Sequence, residues 1–223
     1  AAHLFALVLA MAYAIPRVHR VIEWGRLPAL IAAVVILRVG MILASPAPSI
    51  DVWYNLQEGT DPLWKGLNPY VQTYTNPYQA GARAPGQAYL PTILLSLAPF
   101  RLIGDVRYGL VCFDVLTALL LLNTFTRLHG KPADRPWGEL WALLYLFFPR
   151  AIFITEQAWN EPVLIVFMAL WLNLHVRKRT VAAAVVFGLL LSTKQYLVFL
   201  VPIWILFVER NWKRIAIAAG AAA

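Results

Sequence analysis

The sequence predicts an all-α fold: a polytopic transmembrane helical bundle with a long extracytoplasmic first loop carrying interfacial helices. Three observations predict it. Hydrophobic residues make up 61% of the 223 and charged residues 13%, whereas soluble domains hold about 45–50% apolar and about 25% charged residues. Apolar runs recur along the whole chain, which excludes disorder and a soluble protein with one anchor. The cations gather in short loops between those runs, the distribution of loops retained in the cytoplasm.

A first apolar segment spans about 4–16. No basic region precedes it and further spans follow, so it does not read as a signal peptide. A basic turn with Arg17, Arg20 and Arg26 follows. The segment 27–44 is long enough to cross about 30 Å of hydrocarbon. A polar, aromatic stretch runs from 45 to about 90, and 90–103 is apolar but short and holds Pro91 and Pro99. Further spans are expected at 108–125, 138–155 and 162–174. The run 181–208 is apolar except for a polar turn at 192–196. Basic loops with Arg127, Lys131 and Arg135, with Arg177, Lys178 and Arg179, and with Arg210, Lys213 and Arg214 separate them. These loops face the cytoplasm, and 45–107 faces the opposite side. That parity requires 90–103 to be interfacial or re-entrant rather than spanning. The chain stops inside an Ala-rich run and reads as part of a longer polypeptide, with 1–223 a single, incomplete transmembrane domain.

The net charge of +8 is a topology signal, and no basic groove interleaved with stacking aromatics points to nucleic acid. The single cysteine, Cys112, excludes a disulfide framework and a Cys-based metal site within this chain. His3, His19, His129 and His175 lie away from the acidic residues, which argues against a His-based metal site or a Ser-His-Asp triad. No Gly-rich phosphate loop is present. No cofactor is required by anything in the sequence, although acidic outer loops can hold Mg²⁺ or Mn²⁺ weakly without a motif.

The polar residues gather on the expected outer side. Asp51 follows the 27–44 span, behind Pro46 and Pro48 and beside Trp53 and Tyr54. A carboxylate half desolvated there can serve as a general base; the plainer reading is a solvated loop aspartate with belt aromatics. Asp61 and Pro62 read as the N-cap and first residue of a short amphipathic helix. Tyr70, Tyr74, Tyr78 and Tyr89 make the loop aromatic, which suits sugar stacking and a headgroup belt equally. A polar knot holds Glu156, Gln157, Trp159, Asn160 and Glu161. Lys194, flanked by Gln195 and Tyr196, interrupts an apolar run, so it faces an anionic ligand or a structural carboxylate. Arg150 is a second intramembrane cation. Arg38 and Asp114 also lie within spans and pair with each other in the simplest reading.

These residues carry a resemblance. Asp51 opening the long loop, Gly66-Leu-Asn-Pro-Tyr70, Tyr89-Leu-Pro, Gly104-Asp-Val-Arg107, Glu161-Pro162, and Gly188 with Lys194-Gln-Tyr196 and Pro202 resemble the N-terminal half of GT-C superfamily glycosyltransferases. The nearest group is the bacterial polyprenyl-phosphate-mannose-dependent mannosyltransferase-like one. The resemblance covers about 27–214. It implies an integral enzyme of the bacterial inner membrane with an extracytoplasmic site, moving a hexose such as mannose from a polyprenyl-phosphate donor with inversion. By motif position Asp51 is the base. Lys194 is the first candidate, and Arg150 the second, to stabilise the leaving phosphate. Glu161 and Asn160 orient hydroxyls, Trp53, Tyr54 and Tyr70 supply walls, and Glu156, Gln195 and Tyr196 complete the candidate substrate site. Family members run well beyond 223 residues, and no clear second acid is visible in the first outer loop. The implied partners are the bilayer, a polyprenyl-linked sugar and other membrane subunits. Two alternatives stand beside the transferase: a non-catalytic accessory subunit of a larger membrane complex, and a transporter whose path is lined by Arg38, Asp114 and Lys194.

Overall fold

The computed structural model describes residues 26–129 and 135–223. The predicted segment 4–16, Arg17 and Arg20 of the basic turn after it, and Lys131 lie outside these. The described chain is mostly helical. Helix α1 (Arg26–Ala44) is followed by α2 (Asp51–Gly59), α3 (Asp61–Trp64) and a 3-10 turn at Pro69–Val71. A hairpin of β1 (Thr73–Thr75) and β2 (Arg83–Pro85) comes next, then α4 (Pro91–Arg101) and α5 (Arg107–His129). Helices α6 (Arg135–Leu146), α7 (Ala151–Glu156), α8 (Glu161–Val176) and α9 (Thr180–Leu191) follow. A 3-10 segment Gln195–Phe199, α10 (Leu200–Phe207) and α11 (Trp212–Ala222) complete the chain.

By length and composition, 27–44 and 107–128 are apolar enough to cross a membrane, and three more apolar helical stretches are shorter. Helix α4, at about 1.5 Å per residue, is too short to cross. It stays against α2, α3 and the start of α5, where Arg101 holds Asp61 at 2.7 Å and the Trp64 indole donates to the Ala98 carbonyl at 3.1 Å.

The structure departs from the sequence expectations at three places. The segment 138–155 is not one helix but α6 and α7, broken over 147–150. Pro149 has no N–H to continue the ladder, and the carbonyl of Leu146, the last residue of α6, accepts from Arg38 Nη2 at 2.8 Å. Thr60, not Asp61, is the N-cap residue of α3, because α2 runs almost directly into it and leaves one residue between them. The hairpin was not anticipated. Thr73 pairs with Pro85, Tyr74 with Ala84 and Thr75 with Arg83. A strand of three residues is too short for alternation to register in the sequence.

Three apolar clusters hold the chain together. One joins α1, α5 and α6 through Val34, Ala118, Leu140, Leu143 and Leu146. A second joins α2, α4, the start of α5 and the knot through Leu56, Ile93, Leu97, Leu110, Ala158 and Val163. The third joins α8, α9, α10 and α11, with Phe187 stacked on Trp204 at a centroid distance of 4.2 Å. Within the first, Arg38 pairs with Asp114, and the Tyr145 hydroxyl donates to the same carboxylate.

Helices α9 and α11 approach closely because their facing residues are small, the usual device of helices packed in an apolar solvent. A Cβ built on Gly188 would collide with the Ala218 carbonyl and lie 2.7 Å from Ala221 Cβ. Gly188→Ala is therefore expected to cost about 1–3 kcal/mol. Gly40, with nothing within 4 Å of such a Cβ, is the tolerant control. Denaturant unfolding of both variants in detergent micelles checks this; equal stability would mean that α11 does not rest on α9.

Candidate functional site

The contacts sort the polar side chains to two ends. Asn173 donates to Asn123 and Thr124, and Arg177 donates to Asn123 at 2.7 Å, at the end bearing the basic loops. Ser45, Asp105, Arg107, Glu156, Glu161 and Lys194 meet at the other end, under the 45–107 loop.

Arg107 is the clasp of the loop end. It is fully buried and binds Asp105 through Nε and Nη2, at 3.0 and 2.7 Å. Its remaining donors reach the carbonyl of Ser45 at 2.8 Å and that of Glu156 at 3.2 Å. One guanidinium, with five donors in a rigid fork, thus ties the end of α1 to the end of α7. Asp105 also caps α5, accepting from the Arg107 amide at 2.8 Å, and receives the Trp53 indole N–H at 3.4 Å. Gln57 adds a second strap, donating to the Gly104 carbonyl at 2.6 Å and accepting from the Val106 amide at 3.0 Å. These bonds fix α2, and with it Asp51, against the bundle.

Asp51 occupies the first turn of α2. It is exposed rather than half-buried, because Leu56 and Gln57 take the buried side of that helix. One oxygen accepts from the Val52 amide at 2.9 Å and from the Tyr78 hydroxyl at 3.1 Å. Tyr78 arrives from the turn between β1 and β2. At the other end of α2, Glu58 accepts from the Thr75 amide and hydroxyl at 3.0 and 2.5 Å. The hairpin therefore lies along α2.

Tyr89 packs against the cluster that contains Leu56, Ala158 and Val163. Burial pushes its phenol well above the usual tyrosine range, and the carboxylates of Asp51 and Glu161 and the Tyr78 phenol push it further. Tyr89 and Val52, the neighbour of Asp51, pack on the same cluster as Ala158 and Val163. The raised folded value means that stability is unaffected below the unfolded tyrosine value, about 10. Stability then falls as pH rises from there towards the folded value, because the unfolded state releases its proton first. Tyr89→Phe is expected to remove that part of the alkaline loss, read from unfolding midpoints between pH 9 and about pH 11. Identical alkaline slopes in the two proteins would show that Tyr89 is not buried.

Glu161 opens α8, and Lys194 Nζ donates to its Oε1 at 2.7 Å. Lys194 reaches it because α9 ends at Leu191 and the chain turns before the next 3-10 segment. Glu161 is thus the structural carboxylate that Lys194 meets. Asn160, 2% exposed, has no donor to its Oδ1, and the sealed Glu161 Oε2 has none either. Arg150 is exposed and lies over the rings of Phe153 and Trp159, at 5.8 and 5.4 Å from their centroids. Among the described residues it has no carboxylate partner. Glu156 accepts from Ser45 Oγ at 3.0 Å and from Gln157.

Of the predicted site residues, Glu161 and Lys194 pair directly, with Asn160 beside Glu161 in the chain, and Asp51 is carried to the same end by α2, whose Val52 and Trp53 pack on the cluster that includes Ala158 and Val163. Arg150 and Glu156 belong to the knot but have other neighbours. Trp53 stacks edge-on with Tyr54 at 4.9 Å, but its indole is committed to Asp105. Tyr70 donates to the Tyr89 carbonyl at 2.9 Å and is exposed. Gln195 and Tyr196 are exposed, with Lys194 Nζ 5.9 Å from the Tyr196 ring. The roles of Tyr78, Tyr89 and Arg107 escaped residue-type reasoning. The one signal available for Tyr89 is its position directly before Leu90 and Pro91, which locks the entry to α4. Among the described residues no group of three or more His, Cys, Asp or Glu side chains is placed to hold a metal. Comparison of the chain with protein-family models, curated proteins and solved structures found no match.

Proposed function

We propose that this chain is the membrane-embedded core of a glycosyltransferase. It transfers a hexose such as mannose from a polyprenyl-phosphate donor to an acceptor hydroxyl on the extracytoplasmic face of a bacterial inner membrane. The observation that carries the reading is the packing of α2, which opens with Asp51, on the same cluster as Tyr89, Ala158 and Val163, with the Glu161–Lys194 pair at the start of α8, delivered by separate segments of the chain. The order of motifs resembling GT-C enzymes supports it. So does the outward apolar surface of α1, only 17% of whose best 18-residue window is buried; such a surface is stable in hydrocarbon and costly in water.

In this mechanism Asp51 accepts the proton of the acceptor hydroxyl as its oxygen attacks the anomeric carbon. The bond from that carbon to the phosphate oxygen breaks, and its electron pair leaves with the polyprenyl phosphate. The charge that develops there calls for a cation not already neutralised. Lys194 is offset by Glu161, so Arg150 takes the role for which the sequence ranks Lys194 first. Arg150→Ala is accordingly expected to lower transfer more than Lys194→Ala. The assay uses the purified chain in proteoliposomes with radiolabelled polyprenyl-phosphate mannose and a mannoside acceptor. The reverse order would return the role to Lys194, and no transfer from any polyprenyl-linked hexose would overturn the enzyme reading.

One observation favours the accessory-subunit alternative. Phe199, Ile203, Leu206, Phe207 and Trp212 are all exposed around α10, a surface suited to neighbouring helices. Co-purification in a fixed ratio with other membrane proteins, together with a silent Asp51→Asn, would establish it.

A further inference from the structure

Helix α4 is apolar on both sides, a pattern of helices in a core or in a membrane rather than of helices facing water. Ile93, Leu94 and Leu97 are buried in the cluster shared with α2 and the start of α5. Leu95, Pro99 and Leu102, spaced i, i+4 and i+7, form a second stripe. All three are exposed, Leu95 to 61% and Leu102 to 66%. Ala98 falls at the edge of that stripe, and the Trp64 indole donates to its carbonyl at 3.1 Å. Trp64 is itself half exposed, as is Leu67 just beyond it. An apolar ridge thus continues from α4 onto α3 and the turn after it.

A polar cleft opens beside α3. Its volume is about 320 Å³, and its walls include Glu58, Asp61, Lys65, Leu67 and Arg83. The two carboxylates are already engaged: Glu58 faces Arg83 at 3.4 Å, and Asp61 holds Arg101 at 2.7 Å. The Lys65 ammonium has no hydrogen-bond or ion-pair partner among the described residues. One cation is therefore in excess, and Leu67 lines the cleft while belonging to the ridge.

We propose that cleft and ridge together bind an anionic glycerophospholipid of the leaflet beside the 45–107 loop, its phosphodiester at Lys65 and its acyl chains along Leu67, Trp64 and Leu102. A free phosphate would answer the ammonium and leave the ridge in water. An apolar protein helix would cover the ridge and leave the ammonium unpaired. A charged headgroup on an apolar body answers both, and the two attractions add. The cleft is at the small end of ligand sites, which run about 300–1,000 Å³, and so suits a headgroup. Glu58, in its wall, stands near the end of α2 remote from Asp51, about 10 Å along the helix axis. The inference therefore rests on residence in a membrane and not on sugar transfer.

The test is native mass spectrometry of the full chain, released from micelles carrying equal amounts of phosphatidylglycerol and phosphatidylcholine. Wild type is expected to retain phosphatidylglycerol preferentially. Lys65→Gln is expected to lower that retention about fivefold, the worth of one basic residue at an anionic lipid surface, with phosphatidylcholine unchanged; Lys65→Arg is expected to keep it. Leu67→Ser and Leu102→Ser, at exposed positions of little consequence for folding, are expected to lower it as well. Lys213→Gln removes the same charge from a basic loop and is expected to leave retention unchanged. No loss in Lys65→Gln, or an equal loss in Lys213→Gln, overturns the site. Displacement of the lipid by glycerol phosphate, equally in wild type, Leu67→Ser and Leu102→Ser, overturns it in favour of a free anion. Preferential displacement by undecaprenyl phosphate, with sugar transfer lost in Lys65→Gln, overturns it in favour of the donor lipid. Wild type that stays dispersed without detergent and retains neither lipid overturns membrane residence and the site together. Retention that depends on Lys65 in a protein without transfer activity sinks the transferase and keeps the site.

Discussion

Asp114→Leu is expected to destabilise the protein by about 3–5 kcal/mol, the cost of leaving a buried charge without its partner. Arg38 is 1% exposed, among Val34, Leu143 and Leu146. Removing Asp114 leaves the guanidinium with only the Leu146 carbonyl, and it cannot shed its charge. Arg38→Met should cost less, because the remaining carboxyl can take a proton and keep the Tyr145 hydroxyl as a neighbour. The double variant Arg38→Met/Asp114→Leu should recover most of the loss, since well-packed apolar replacements of buried ion pairs are often neutral or better. Equilibrium unfolding of the four proteins forms a double-mutant cycle. Additive losses would show that the two side chains do not interact. The pair closes on itself and on the break between α6 and α7, and so joins three helices.

Asp51→Asn is expected to lower sugar transfer by about 10²–10⁴-fold, the usual contribution of a positioned general base, and to leave stability within about 0.5 kcal/mol. The reason for the second half is geometric. Asp51 is exposed, and an asparagine oxygen accepts equally well from the Val52 amide and the Tyr78 hydroxyl. What asparagine lacks is the capacity to take a proton. Transfer rates in proteoliposomes and unfolding midpoints, measured on the same preparations, separate the two effects. Wild-type transfer by Asp51→Asn would remove the base from the mechanism. A collapse in stability would instead make Asp51 a structural cap of α2.

Legibility in the sequence tracks the length scale of each feature. The helices at 27–44 and 107–129 were readable because apolar composition over five turns is a local property. The break between α6 and α7 was overlooked because an apolar run continues straight through Pro149, and composition alone ranks it as one span. Lys194 was marked by its cost in an apolar run, but its partner was not, since Glu161 lies 33 residues away. In the sequence Tyr89 is one tyrosine among several, and only packing sets it on the cluster that includes Leu56, Ala158 and Val163.

Composition and the spacing of cations determined, without coordinates, that this is an apolar helical chain with its polar chemistry gathered at one set of turns. Burial of side chains in water or lipid depends on the run of residue types, which the sequence states directly. Only the tertiary structure decided which charges cancel. Arg38 is spent on Asp114, Arg107 on Asp105 and Lys194 on Glu161, which leaves Arg150 without a carboxylate and Asn160 Oδ1 without a donor among the described residues. Electrostatic and hydrogen-bond energies depend on distances of a few ångströms between residues far apart in the chain, and those distances exist only once the helices have packed.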